Sequence, residues 1–311
     1  MSARTGLSPV EVGLLRAVDL LAADDHARCS DVLVAAAATD GLGPRYAWPV
    51  LVDLGVPWRR HQPLVELHGN SGSRFGDPPA DAQYVEVRLS PVGELALAAE
   101  REEVGPVPLG LVEGSWYADG PVPPFDPERV VGALLAGATD AGGPSMPSGG
   151  RVVGDVDRLL AGQAVRLRLE CTITAVGGDL VITGLPLGVS GDEVLQFIAQ
   201  RASDYERGPG GRPLRSIRRA GSPVRDVMDL STERDGVRLH VSLDEGTDLR
   251  TAKDWLLDVW PVTTEREARL PAPMPERLDS WDRGDGTGLR ALADLLRDDP
   301  VPPPAPDLPR R

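Results

Sequence analysis

Two cysteines, four histidines and four tyrosines are the side chains of this 311-residue sequence best suited to act as nucleophiles, bases or soft metal ligands. His26, His61, His68 and His240 are scattered, with no spacing of the kind that holds zinc, so surface or packing roles are expected. Cys29 and Cys171 are too few for a disulfide framework, which points to a reducing, cytoplasmic setting. Cys29 is expected to be a buried structural thiol. Tyr84 lies near the end of PLVELHGNSGSRFGDPPADAQYVEVRL, residues 63–89. Free tyrosine has a pKa of about 10, so an attacking phenolate needs neighbours that stabilise it. By residue type alone, Tyr84, Val85, Val87 and Leu89 alternate as a strand, in which a tyrosine packs.

The elements that must position these residues follow from pattern and punctuation. Ser8 and Glu11 form a capping box ahead of a helix over 8–22, with Pro9 at its first position. A second helix is predicted from about Ser30 to Gly41, and a third from Arg45 to Leu54, where Pro49 should kink it or mark its start. His68 to Ala80 is Gly- and Pro-rich loop, and Gln83 to Leu89 is a strand. Ser90-Pro91 opens another helix, to about Glu102. Three helices followed by a loop and strand resemble a winged helix-turn-helix. Further on, Val165 to Ile173 and Leu180 to Ile182 read as strands paired across Gly177-Gly178. Ser190 caps a helix over 193–202, Gly208 to Gly211 forms a turn, and Val237 to Leu243 is a strand. Residues 252–260 form a short amphipathic helix with Trp255 and Trp260. Beyond Leu270 the chain reads as Pro-rich, with one helix over 288–297 and an irregular tail from Pro300. Asp294, Asp298 and Asp299 are taken as a solvated helix face and its end.

The fold class is therefore α+β. Length permits about two folded units. No run of about 18 apolar residues suggests a membrane span, and the N-terminus lacks the long apolar core of a secretory signal. Asp and Glu number 47 against 33 Lys and Arg, a net charge of −14, and Lys253 is the one lysine. Such a balance opposes a general affinity for phosphate backbones.

Residues 63–89 resemble the A subunit of DNA gyrase and topoisomerase IV, the type IIA topoisomerases. That family's loop runs P-L-x-x-x-x-G-N-F-G-S, then D-P-x-A, then R-Y-T-E. Pro63-Leu64, Gly69-Asn70, Gly72-Ser73, Asp77-Pro78 and Tyr84-x-Glu86 match it without a gap. Other echoes keep the family's order. They are Gly6-Leu7-Ser8-Pro9-Val10, Trp58, Gly143-Pro144 with Pro147-Ser148-Gly149-Gly150, Ile182-Thr183 with Leu185-Pro186, and Asp235-Gly236-Val237-Arg238-Leu239. The resemblance covers residues 6–245. It implies a winged-helix domain over 1–104, a tower-like α+β domain over 105–262, and a Pro-rich tail with a short helix over 263–311. It also implies a tyrosine nucleophile at Tyr84, a DNA-intercalating wedge at Val122, and no metal or cofactor bound by this chain. Mg²⁺ and ATP come through a B-type partner subunit in this family.

The departures are chemical. The arginine before the nucleophile is Gln83 here. The family's K-P-V-H-R-R becomes Ser8-Pro9-Val10-Glu11-Val12-Gly13. Its H-P-H-G-D falls at Gly41-Leu42-Gly43-Pro44-Arg45, and the Arg of C-A-R is Asp31. Over residues 1–90, 8 Arg stand against 11 Asp and Glu. Each lost charge-assisted contact costs about 1.5–3 kcal/mol. The 67 residues after Asp244 do not resemble the family's coiled coil, exit gate or C-terminal pinwheel. The expectation is a truncated, diverged paralogue that does not cleave DNA and serves as a protein-interaction or regulatory module. It would pair with a gyrase B-type or A-type subunit or with itself. The alternative is a topoisomerase component that cleaves DNA through Tyr84, with a B-type partner, Mg²⁺ and ATP.

Overall fold

Helix α1 (Pro9–Leu21) begins where the capping box places it: the Glu11 amide donates to Ser8 Oγ and the Ser8 amide to Glu11 Oε2. The computed structural model describes residues 2–22, 25–40, 43–112, 116–117, 120–121, 124–207, 213–232 and 236–298. Strand β1 (Ala27–Arg28) leads into α2 (Cys29–Asp40) and then α3 (Pro44–Gly55). Pro44 takes the first position of α3, and Pro49 sits inside the helix, where it has no N–H to donate. Strand β2 (Val65–His68), a 3₁₀ turn (Ala82–Tyr84), β3 (Glu86–Leu89) and α4 (Pro91–Glu100) follow. The three strands form an antiparallel sheet in the order β1-β3-β2.

Helix α5 (Leu109–Val112), the small ladder β4 (Trp116–Tyr117) with β5 (Gly120–Pro121), and α6 (Pro127–Ala136) come next. Then β6 (Arg151–Val153), α7 (Val156–Leu160) and β7 (Val165–Glu170) lead to a change of sheet. The stretch expected as one strand, Val165 to Ile173, breaks at Cys171. Strand β7 joins the sheet β14-β7-β6, whereas β8 (Thr172–Val176) joins β12-β13-β9-β8. The expected pairing across Gly177-Gly178 holds for β8 alone, with β9 (Asp179–Gly184).

Helix α8 (Gly191–Ala202) has its Ser190–Glu193 capping box. The hairpin β10 (Ser203–Arg207) with β11 (Pro213–Arg218) follows, then β12 (Val224–Asp229), β13 (Leu239–Leu243) and α9 (Leu249–Leu257). Helix α9 begins and ends earlier than the sequence suggests, leaving Trp260 beyond it. Strand β14 (Thr263–Ala268), α10 (Met274–Ser280) and α11 (Thr287–Asp298) complete the described chain. The expected turn at Gly208 to Gly211 and the segment 299–311 lie outside the described residues.

The mixed α+β class is as the sequence implies. Two apolar cores divide it. The first contains α1 to α4, α6 and β7, and also Ala268, Leu270, Met274, Leu278, Leu289, Leu292 and Leu296. The second is bounded by Cys171 and Val262. Residues 263–298 are therefore not a tail. Strand β14 pairs with β7 over six residues, and α11 packs its leucines into the first core beside α4 and α6. Among the described residues, no helix is long and apolar enough to cross a membrane.

Candidate functional site

The residues of the 63–89 motif are tied into one loop, and each has a mechanical reason for its type. Leu64 is fully buried. Ser90 donates from its amide to Leu64 O (3.1 Å) and from its hydroxyl to Pro63 O (2.6 Å), so Pro63-Leu64 seats the start of α4. A Cβ at Gly93 would overlap Leu64 O. Gly69 has φ +118°, and a Cβ there would lie 2.9 Å from Tyr84 O. Asn70 Oδ1 accepts from the Gly72 amide (2.9 Å), and Asn70 O accepts from the Ala80 amide (3.0 Å). Ser73 Oγ donates to Asp77 Oδ2 (2.6 Å) and accepts from the amides of Phe75 and Asp77. The loop is closed by its own side chains, as Asx and ST turns allow.

The loop tip reaches the second core. Gly191 N donates to Arg74 O and Asp192 N to Phe75 O, both at 3.0 Å. These amides open α8 and have no partner within that helix. Phe75 packs against the second core, and the Arg74 guanidinium lies 5.9 Å from the Trp58 ring centroid. Burial draws the pKa of Arg74 down. Its backbone carbonyl, with that of Phe75, ties the loop to α8.

Tyr84 does not lie in the strand. It ends the 3₁₀ turn, its amide donates to Asp81 O (2.8 Å), and its side chain is 71 % exposed. The strand reading of Gln83 to Val85 is therefore corrected, since β3 begins only at Glu86. Beside it, β3 places Glu86 between Arg28 of β1 and His68 of β2. Arg88 donates to Glu66 at 2.6 Å, and Asp25 accepts from the His26 amide at 2.8 Å. That amide bond, more than any other contact, holds the Asp25 carboxyl below its usual range. The rings of His26 and His68 approach to 5.6 Å. No sequence spacing announces this pair, which meets across the sheet that β1 and β2 share with β3. Arg28 and Arg88 thus face three carboxylates, those of Asp25, Glu66 and Glu86.

Two motif positions near the site are structural, Cys29 as expected. Cys29 is fully buried, and burial, aided by the nearby Glu86 charge, pushes its thiol up to about 12. Glu11, at a cationic position of the motif pattern, caps α1 and pairs with Arg60. Val122, the expected wedge, lies outside the described residues. Phe125, three residues on, is fully buried, and Asp126 caps α6.

Two later motif echoes touch each other. Leu185 N donates to Ser148 O (3.1 Å), Ser148 Oγ donates to Leu185 O (2.8 Å), and Gly149 bridges Leu185 in parallel. A Cβ at Gly184 would overlap Gly149 O. His61 Nε2 lies 3.2 Å from Ser145 O, and since a carbonyl can only accept, that nitrogen carries the proton. Among the described residues, no group of three His, Cys, Asp or Glu side chains is placed to hold a metal ion.

No family model matches the chain. It is 27 % identical over 271 residues to the DNA gyrase A protein of Deinococcus deserti, covering 73 % of this chain and 33 % of the relative. It is 27 % identical over 243 residues to the topoisomerase component TopoM of Mycolicibacterium smegmatis, covering 66 % and 32 %. Over a shorter stretch of 67 residues it is 39 % identical to the DNA topoisomerase 4 A protein of Bacillus subtilis, covering 21 % of this chain and 8 % of the relative. The chain spans about a third of the length of the curated relatives it matches over most of its own length. Shared motifs, their contacts in the fold and these similarities agree: the chain is a diverged relative of the A subunits of DNA gyrase and topoisomerase IV, the type IIA topoisomerases.

Proposed function

We propose that this protein keeps the scaffold of the type IIA topoisomerase A component, without strand cleavage, and serves as a protein-interaction or regulatory module. In this reading α1 to α3 with the β1-β3-β2 sheet form the winged helix, and the second core is the tower-like part. Its partner is a B-type or A-type topoisomerase subunit, or a second copy of the chain.

One observation carries the reading. Motif residues that build the loop are retained, whereas the surroundings of Tyr84 carry no cation in excess. A phosphodiester at the Tyr84 hydroxyl would gain negative charge in the transition state, where catalysis needs fixed positive partners. Here Gln83 is neutral, Arg88 is bonded to Glu66, and Arg28 stands opposite Glu86. Mutual neutralisation leaves little field for phosphate.

The competing reading is a topoisomerase component that cleaves through Tyr84, with Mg²⁺ and ATP brought by a B-type partner. The exposure of the Tyr84 ring favours it. A covalent-adduct assay separates the two. The chain is incubated with plasmid, Mg²⁺, ATP and a gyrase B protein from the same organism, then denatured. No protein-linked DNA is expected, beside a control in which an active gyrase A protein forms it. An adduct that disappears in Tyr84→Phe would overturn the non-cleaving reading.

A further inference from the structure

Away from the Tyr84 loop, a cleft of about 320 Å³ opens between the start of α8 and strand β14. Its walls include Glu193, Trp260, Thr264, Glu265 and Arg266. Trp260 is 55 % exposed although its ring meets Phe197 edge-on, with centroids 4.5 Å apart. One face of a large indole is thus held rigid and left bare. The Glu193 carboxylate is fixed too, because its Oε2 accepts from the amide and hydroxyl of Ser190, both at 3.0 Å. Thr264 is only 8 % exposed, and its Oγ1 has no hydrogen-bond partner. A buried hydroxyl without a partner is costly, so this wall gains from any rearrangement that brings it a donor.

The charges indicate the ligand. The lining carries two carboxylates, those of Glu193 and Glu265, against the one guanidinium of Arg266, so it is net negative. Glu265 keeps only a long contact of 3.8 Å to Arg166, and both side chains are exposed. An indole face beside carboxylates is the setting in which a flat, weakly hydrated cation binds well, through cation–π and charge-assisted hydrogen bonds. We infer that this cleft receives an arginine side chain from a segment of a partner polypeptide. The guanidinium stacks on Trp260 and pairs with Glu193 and Glu265. This reading is independent of whether Tyr84 cleaves DNA.

The test uses the full chain labelled with ¹⁵N and follows the indole N–H signals, that of Trp260 being assigned with Trp260→Phe. The probes are N-acetyl-arginine methylamide, its norleucine and glutamate counterparts, and the capped pentapeptide Thr-Val-Arg-Val-Thr. A saturable shift of the Trp260 signal is expected with both arginine probes and with neither counterpart, the pentapeptide binding at least as tightly. In Glu265→Gln, a change at an exposed position, binding should weaken roughly threefold and lose much of its salt dependence. Absence of a saturable shift with the pentapeptide, or equal shifts with norleucine or glutamate, would overturn the inference.

Discussion

Three of the side chains that could do chemistry here meet one of two fates, exposure without help or burial without charge. Tyr84 has the first and Cys29 the second. His61 also has the second: burial lowers its pKa, although Ser145 O and Asp126 pull the other way. The native state therefore holds His61 neutral in a range where the unfolded chain, with a pKa of about 6.5, takes up a proton. Stability from this site is complete above that unfolded value. It falls as pH drops toward the lowered native pKa, because the unfolded state then binds more protons. Urea midpoints measured at about pH 7.5 and about pH 5.5 should show the loss, and His61→Gln should reduce it. No sequence signal announces this, since a histidine's burial depends on Ser145, a long way along the chain. Tyr84 is identifiable by resemblance, but its exposure is not, because the strand pattern from Gln83 to Leu89 begins three residues ahead of the strand itself.

At the scale of elements, local signals are legible and remote ones are not. Capping boxes at Ser8 and Ser190 need only a residue and its neighbour three places on, and both are present. The docking of the Arg74 and Phe75 carbonyls onto α8 uses backbone groups and leaves no trace in residue type. The switch of sheets at Cys171 is hidden for a similar reason, since both halves of the stretch are strand-like. Glycines record some of these close approaches. Gly184 lets its strand press against Gly149, so Gly184→Ala should cost about 3 kcal/mol or more, because neither backbone can retreat. A shift of the denaturant midpoint at constant slope would measure it. Phe75→Ala should cost less, about 1–2 kcal/mol, since the ring is half-buried. Its signature is local: amides of Gly191 and Asp192 should exchange faster, while those of α11 keep their protection.

Over the whole molecule, the larger surprise is the return of the chain. Residues 263–298 read as a Pro-rich appendage, yet they supply a strand and two helices to the first core. Proline content misleads here because Pro271, Pro273 and Pro275 sit in a connection and at the start of α10, where the lost N–H costs little. The four-leucine face of the last helix, which the sequence does display, is the better guide.

That return has a topological consequence. Thr263 pairs directly with Glu170, and Cys171 N donates to Val262 O at 2.8 Å, so the excursion from 171 to 262 leaves and re-enters through neighbouring points. Host and guest are the fitting words: the second core is lodged in a hairpin of the first, which closes without it. Antiparallel partners lie about 5 Å apart, a gap that a two-residue turn such as Asn-Gly spans. A chain with Glu170 joined to Thr263 by that turn should keep the helical circular-dichroism signature and cooperative melting of the host. It should lose the clasp at Arg74 and Phe75 and the contacts of Ser148 and Gly149 with Leu185. Loss of cooperative melting would mean that the guest is needed to hold the host together.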